Sequence, residues 1–454
     1  MERLANSLTA GITPAAPTVC PLCVTSLQEA LREDDYESVV LRMRRNTSNH
    51  AFFTALMEFV TADRTFSHDE RNALSRRLLL NQYRRCRKCK STRPVPRSED
   101  SDIFDSMHSA FCEILTRCLT THRGQKHRVF ADANGLWPCT REQLFPLGVE
   151  QSIRMLLLSF SRIPFPEGLT VMLLNVLLVD YRPLVFPELM DEHNREVVFE
   201  TIIAAFHRTA QEAEQLPPDA VVAFLEEPPC LYESSVLWYL GAGPGSEPQD
   251  PDIVSEGFEA PLYQAIARLL TLVEDLRVEP EQWLQQLASI ALRLLPRIPT
   301  PDRANPPELV YKQIAEASAL GDDPYARLSQ LLLYVRNKQS CFGPECEKTV
   351  LDMPSARPFA RCAKCKMVKY CSKECQKRDW KDEDFPHKEI CDILHEVLRF
   401  ADLKMPPAEF AESCREHDFP VERAAQLDEW ITMTVCKIEV NFRPELIEGF
   451  VPRV

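Results

Sequence analysis

The stretch that decides the fold of this chain lies near its C-terminus and is rich in cysteine. Residues 341–391 read CFGPECEKTVLDMPSARPFARCAKCKMVKYCSKECQKRDWKDEDFPHKEIC. Four pairs of candidate metal ligands occur in it, spaced as Cys341-x4-Cys346, Cys362-x2-Cys365, Cys371-x3-Cys375 and His387-x3-Cys391. The chain has 454 residues and 17 cysteines. Seven cysteines within this short stretch are therefore a local concentration and not a background of scattered buried thiols.

The spacing of these pairs is typical of zinc ligands. Two cysteines separated by two residues form a knuckle in a tight turn, and two ligands separated by three residues lie one helical turn apart. Eight ligands complete two tetrahedral sites, one with four cysteines and one with three cysteines and a histidine. Because no coordination position stays open, we expect two structural Zn²⁺ ions, each contributing about 10–16 kcal/mol to the folding of a very small module. The spacing leaves open which pairs share a metal.

The order of the pairs, together with the segments KYCSKECQKRDW and HKEIC, resembles the MYND-type zinc finger. The resemblance is limited to residues 341–391 and implies a cross-braced finger, in which pairs that are not adjacent in the sequence share each zinc. By this resemblance the first zinc is held by Cys341, Cys346, Cys371 and Cys375, and the second by Cys362, Cys365, His387 and Cys391.

MYND-type fingers are protein-interaction modules that bind short proline-containing peptides, and the resemblance implies the same for this finger. The residues that match the peptide-binding surface of the family are Gln376 and Trp380, four positions apart on a short helix predicted to begin near Ser372. An exposed indole can stack on proline while the neighbouring amide bonds to the peptide backbone. The alternative is that Trp380 packs into the core of the small module.

The rest of the chain is predicted to be mainly α-helical. It has 12 glycines and 35 prolines, a balance that disfavours repeated hairpins and favours helices that start and stop at proline. Apolar residues recur at helical spacing over 102–122, and Asp323 before Pro324 predicts a helix that runs to about Val335. We expect an irregular helical body, with a solenoid-like array as one form that it could take.

Changes in composition divide the chain into four predicted parts. They are an N-terminal helical segment (1–97), a helical body (98–338), the MYND-type finger (339–400) and a helical C-terminal tail (401–454). Within the body, Gly241–Gly257 holds four of the twelve glycines and three prolines, and this composition predicts a linker.

Two further knuckles, Cys20-x2-Cys23 and Cys86-x2-Cys89, form a weaker candidate metal site. If helices bring the two knuckles together, the four thiols complete a third zinc site; otherwise they are unpaired thiols. A thioredoxin-like redox role is disfavoured, because no βαβ pattern surrounds either motif. The second knuckle lies in Arg71–Arg97, which has ten Lys and Arg and no acidic residue. This run could contact phosphates, although a solvated helix face beside zinc thiolates is the favoured interpretation.

The composition excludes several classes of function. No run of 18 apolar residues and no secretory signal occur, so we expect an intracellular protein, cytoplasmic, nuclear or both, with no membrane partner. The net charge of −14 disfavours a general nucleic-acid binder. No G-x-S-x-G, P-loop or G-x-G-x-x-G motif is present, so we expect no enzyme activity.

The favoured function is that of an interaction or scaffold protein whose finger recruits a protein partner, with transcriptional regulation as one setting. One alternative is a nucleic-acid-associated regulator that uses the run Arg71–Arg97. Another is a SET-type lysine methyltransferase, since some of these contain a MYND finger. The methyltransferase is disfavoured because only 63 residues follow Cys391 and none of them matches the NHSC-like motif of that group.

Overall fold

The chain is mainly α-helical, as its composition predicts. The computed structural model describes residues 2–14, 17–31, 36–63, 68–83, 103–121, 130, 135–163, 168–247, 250–276, 281–299, 306–313, 323–346, 348–349, 352–353 and 359–436. Two compact units are present, one made by the described residues up to Ala205 and the other by those from Phe206 onward. Among the described helices, none is long and apolar enough to cross a membrane. The predicted boundaries at residues 97, 338 and 400 rest on composition and stay predictions.

The first unit is built from short helices. They are α1 (Glu2–Thr9), α2 (Pro21–Ala30), α3 (Tyr36–Arg45), α4 (His50–Val60), α5 (His68–Tyr83), α6 (Ile103–Thr120), α7 (Arg141–Leu144), α8 (Val149–Arg162), α9 (Thr170–Asp180) and α10 (Arg182–Leu189). The division between the units falls within α11 (Glu192–Glu214).

The centre of the first unit is α6, which packs against α2, α4, α5 and α9. Most of its side chains between Phe104 and Leu119 are buried, as expected for a helix enclosed on all sides. Its Phe111 meets Phe59 of α4 edge to face, with ring centroids 4.9 Å apart. The helix that the apolar periodicity over 102–122 predicts is thereby confirmed as α6, and it lies in the core.

The second unit continues with helices and one small hairpin. Its elements are α12 (Pro218–Glu226), α13 (Leu231–Ala242), α14 (Asp250–Ser255), α15 (Glu259–Leu276), α16 (Gln282–Leu294), α17 (residues 308–313), α18 (Pro324–Asn337), β1 (Ala360–Arg361), β2 (Lys369–Tyr370), α19 (Lys373–Trp380), α20 (His387–Val397), α21 (Pro407–Glu416) and α22 (Val421–Ile431).

The prediction of a linker at Gly241–Gly257 is wrong for the residues of α14, which form a helix packed against α13. Pro251 lies in the first turn of α14, where proline removes no helical hydrogen bond. The carboxylate of Asp250 accepts the backbone N–H of Glu247 at 2.8 Å. Val254 is buried, so the short helix belongs to the packed core. Composition alone could not separate prolines that open a helix from prolines of a loop.

The start predicted for α18 is confirmed. Asp323 caps the helix, since its carboxylate accepts the backbone N–H groups of Tyr325 at 3.0 Å and Ala326 at 3.4 Å. The helix runs two residues beyond the predicted end, to Asn337. There the Lys369 ammonium group of β2 donates to the carbonyl oxygen of Arg336 at 2.7 Å. This contact fixes the hairpin to the end of α18, because the last carbonyls of a helix have no partner within it.

The cysteine-rich region shares one hydrophobic core with the helices on both sides of it. α18 packs against α21 and α22, and α20 packs against α22. A continuous cluster of buried side chains includes Leu332 of α18, Tyr370 of β2, Leu394 of α20 and Leu427 of α22. The finger is therefore embedded in a larger helical core, which a module of its size could not form alone.

Glu233, in the first turn of α13, is a buried carboxylate. Its side chain is 1% exposed, and one carboxylate oxygen has no hydrogen-bond partner among the described residues. Burial raises the pKa of Glu233 to about 7, against the smaller opposing effects of a backbone N–H and of Arg208. The folded state therefore holds a proton that the unfolded chain releases between about pH 4.5 and 7.

Stability should fall as the pH rises through that window, by up to about 3 kcal/mol, because the unfolded state ionises first. Glu233→Gln removes the buried charge, so we expect the variant to exceed the wild type in stability at pH 8 and to approach it at pH 5. Urea unfolding at both pH values measures this, with Glu226→Gln at an exposed position of α12 as the control. Equal pH dependence of Glu233→Gln and the wild type would contradict the assignment.

Candidate metal centre

The structure brings the eight candidate ligands into two groups of four. Within each group the ligand atoms all lie within 4.8 Å of one another. The first group is Cys341, Cys346, Cys371 and Cys375, and the second is Cys362, Cys365, His387 and Cys391. These are the two groups that the resemblance implies and that the spacing alone left open.

The distances within both groups fit tetrahedral zinc. In the first, the Sγ atom of Cys371 lies 3.6 Å from that of Cys346 and 3.5 Å from that of Cys375. Tetrahedral Zn–S bonds of about 2.3 Å place the sulfur atoms about 3.8 Å apart, whereas a disulfide requires about 2.05 Å. The thiols are therefore spaced to share a metal ion and not to form disulfides.

The second group has the same spacing. The Sγ atoms of Cys362 and Cys391 are 3.7 Å apart, and the Sγ atom of Cys365 is 3.6 Å from Nε2 of His387. The donor set of soft thiolates and one imidazole is the one that structural zinc prefers. With two such groups, the finger fits two zinc ions, each with all four coordination positions filled by protein ligands.

A glycine allows the first knuckle to close on α19. A Cβ atom added at Gly343 would lie 2.6 Å from Cβ of Cys375, so no larger residue fits there without a shift. The Sγ atom of Cys341 accepts the backbone N–H groups of Gly343 and Cys371, each at 3.3 Å. Burial raises the pKa of the Cys341 thiol, and these two backbone donors oppose that shift by favouring the thiolate, which is the form that binds zinc.

The second ligand pair of this site is held by the start of α19. Ser372 caps the helix by accepting the backbone N–H of Cys375 at 3.1 Å, which confirms the predicted helix start. The guanidinium group of Arg378 donates to Sγ of Cys375 at 3.5 Å. Burial raises the pKa of Cys375, but hydrogen bonds with Arg378, Ser372 and the neighbouring thiols of Cys371 and Cys346 together lower the pKa to about 6. Cys375 is thus prepared as a thiolate at neutral pH.

His387 opens α20 and is fully buried. Burial lowers its pKa to about 4, which keeps the imidazole neutral and able to ligate a metal. Its ring contacts two indoles, with centroid distances of 5.7 Å to Trp380 and 6.0 Å to Trp430. Contacts with both indoles therefore hold the histidine in place.

Trp430 of α22 is a supporting residue that the sequence analysis missed. Its ring stacks on Phe342 of the first knuckle, with centroids 6.3 Å apart and planes within 7°. Its indole N–H donates to the carbonyl oxygen of Phe385 at 3.1 Å. Trp430 thus packs against both zinc sites. The one available signal was a large aromatic residue on the apolar face of a helix, 39 residues after Cys391.

The side chains predicted to bind peptide lie on α19, outside the two ligand groups. Gln376 is partly exposed, and Trp380, one helical turn later, is 39% exposed. On the inner side of the same helix, the hydroxyl of Tyr370 donates to the buried carboxylate of Asp379. Trp380 combines features of both interpretations, since its ring contacts His387 while the side chain is 39% exposed. Peptide binding by Gln376 and Trp380 stays a prediction.

The weaker N-terminal metal site is only partly described. Cys20 and Cys23 are buried at the start of α2, whereas Cys86 and Cys89 lie outside the described residues. Most of the basic run Arg71–Arg97 also lies outside them. Over the described ranges, the two groups in the finger are the only sets of three or more metal-binding side chains that meet. The third zinc and the nucleic-acid alternative stay predictions.

Comparison with known proteins agrees with the geometry. Residues 341–391 match the family model of the MYND finger. A SET and MYND domain-containing protein of Dictyostelium discoideum is 40% identical over 67 residues, which make up 15% of this chain and 12% of the relative. No solved structure matches this chain. The chain therefore carries a MYND finger, a zinc-binding protein-interaction module, within a mainly helical protein.

The shared core predicts that loss of one zinc loosens the surrounding helices as well as the finger. Changing Cys365 and His387 together to alanine should remove one zinc and increase hydrogen exchange in α18, α20 and α22. Cys414→Ser changes a buried cysteine of the same core that is not a ligand, so its zinc content should equal that of the wild type. Mass spectrometry measures both quantities. Normal protection of α22 in the zinc-depleted variant would show that its packing does not depend on the metal.

The third zinc has a direct test. Changing Cys20, Cys23, Cys86 and Cys89 to serine should lower the zinc content of the purified chain by one ion per molecule. Metal analysis against the wild type measures the loss, and the finger variant above serves as the reference for loss of a single ion. An unchanged zinc content means that these four thiols do not hold a metal.

Proposed function

We propose that this chain is a non-enzymatic interaction protein whose MYND finger recruits a partner by binding a short proline-containing peptide across Gln376 and Trp380. The observation that supports this most is the exposure of Trp380, at 39%, on a helix anchored by a zinc ligand. Large aromatic side chains such as tryptophan are enriched where partners bind.

The surroundings of α19 support a binding surface that is rigid before the partner arrives. Cys375 ties the first turn of the helix to the first zinc group, and Ser372 caps its start. The T-shaped contact with His387 restricts the Trp380 ring. A surface that is already ordered loses little conformational entropy on binding, so a short peptide can bind through few contacts.

The chemistry of the two side chains suits an extended proline-containing peptide. Proline presents a flat apolar ring, on which the indole of Trp380 can stack. In the polyproline II conformation the backbone makes no internal hydrogen bonds, so its carbonyl groups are free to accept from the Gln376 amide. The partner we propose is therefore a protein with an exposed proline-rich segment.

We further propose that recruitment takes place inside the cell, in the cytoplasm, the nucleus or both, because thiolate ligands require reduced cysteines. Regulation of transcription is one process that such recruitment could serve. The SET domain in the name of the relative belongs to that protein, since the match covers 12% of its length. The nucleic-acid alternative depends on Arg71–Arg97 and is a separate hypothesis.

Trp380→Ala should weaken binding of a proline-containing peptide by about tenfold or more, since aromatic anchors dominate small interfaces. The matched control is Tyr311→Ala, which removes an aromatic side chain of similar exposure, 37%, outside the finger. Proximity labelling in cells measures the partners of each variant, and metal analysis verifies that both retain zinc. An identical list of partners for the wild type and Trp380→Ala would count against this surface.

A further inference from the structure

A second concave surface lies on the finger, at the opposite end of α20 from Trp380. It is a groove of about 570 Å³, formed by the second knuckle, the end of α18 and the segment that follows α20. Trp380 contacts His387 at the start of α20, whereas the groove is lined by His395 and Leu398 at its end. His395 follows His387 by eight positions along the helix, which is about 12 Å along the axis.

The rim of this groove is strongly basic. Its cationic side chains are Arg336, Arg361, Lys364, Lys366 and Arg399, and its one carboxylate is Asp402. Lys364 forms an ion pair with Asp392 of α20. The other four cations form no ion pair with any described residue. In a chain of net charge −14 this concentration of positive charge is a local exception, and the thiolate of Cys365 and the carboxylate of Asp402 in the lining offset only part of it.

The floor of the groove is apolar. Met367 and Leu403 are buried, and Leu398, Phe400 and Met405 are partly exposed. The ring of Phe400 stacks on His417 with centroids 4.5 Å apart, so one of its faces is already covered. Methionine side chains adapt their shape to different apolar ligands. The groove therefore offers positive charge around a small apolar depression.

We propose that this groove is a second docking site, which binds an acidic peptide segment of a protein partner. Carboxylates of the peptide would meet Arg361, Arg399 and Lys366 on the rim, and one large apolar side chain would lie on the floor. Arginine is suited to this, because its guanidinium group can hold a carboxylate with two parallel hydrogen bonds. This site is independent of the proline-binding surface and could be correct even if that surface is not.

A nucleic acid fits the groove less well than a peptide does. Phosphates could bind the rim, but single-stranded binding sites use exposed aromatic faces on which bases stack. The one phenyl ring of the lining is Phe400, and it already stacks on His417. The volume of the groove, about 570 Å³, suits a few side chains. A nucleic-acid duplex is too large to enter it.

The first test selects random twelve-residue peptides on phage against the zinc-loaded full chain and against the double variant Arg361→Glu, Arg399→Glu. Both arginines are exposed, so the variant should fold and keep its zinc. We expect the wild type to enrich peptides with several Asp and Glu around one large apolar residue, and the variant to lose this enrichment. Equal acidic enrichment on both proteins, or none on the wild type, overturns the proposal.

The second test measures the affinity of the most enriched peptide by fluorescence anisotropy. The groove variant should bind about tenfold more weakly, and affinity should fall as salt rises. The matched control Lys348→Glu, Lys388→Glu makes the same change in charge at exposed positions outside the groove and should bind normally. Met405→Ala, which changes no charge, should also weaken binding.

Trp380→Ala separates this proposal from the proposed function. It should leave the acidic peptide bound with normal affinity, while the groove variant should keep normal binding of the proline-containing peptide. Loss of acidic-peptide binding in Trp380→Ala, with none in the groove variant, would assign that peptide to the other surface. Tighter binding of single-stranded DNA than of the peptide, lost in the groove variant, would overturn the choice of partner.

Discussion

The interleaving of the metal ligands is the constraint on which the C-terminal part of this protein depends. Cys341 and Cys346 share a site with Cys371 and Cys375, across the pair that belongs to the other metal. Each zinc therefore joins segments that are distant in the sequence. Neither site is complete until its two ligand pairs meet across the segment that carries a pair of the other site. The short two-stranded hairpin and Gly343 follow from this requirement, because both allow the crossing segments to approach closely.

The same constraint explains why the finger shares its hydrophobic core with the helices around it. Fifty-one residues with eight ligands leave few side chains to exclude water from the metals. Helices before and after the finger supply the rest, with Trp430 against Phe342 and His387, and the Lys369 ammonium group against the end of α18. Metal binding and helix packing stabilise each other, since the helices cover the ligands and the ligands hold the surfaces on which the helices pack.

Rigidity of this kind has a consequence for binding. The helix α20 passes from one zinc ligand, His387, past another, Cys391, to the basic groove at its far end. Both proposed docking surfaces are therefore held by the same frame, and each is formed before a partner arrives. They differ in chemistry, since one presents an exposed indole and an amide and the other presents arginines and lysines around an apolar floor. One partner could use either surface alone, or both through a single extended segment.

Local patterns in the sequence specified the features whose cause is local. Ligand spacing indicated all eight candidate ligands, Asp323 and Ser372 marked helix starts because a cap acts over three residues, and apolar periodicity located α6. Spacing alone could not show which ligand pairs share a metal. The resemblance implied one arrangement, and the structure has the same two groups of four ligands. Composition misplaced a linker at α14, whose helix depends on packing against α13. The stacking of Trp430 and the groove between Arg336, Arg361 and Arg399 join positions far apart in the chain, so only the folded arrangement of helices could produce them.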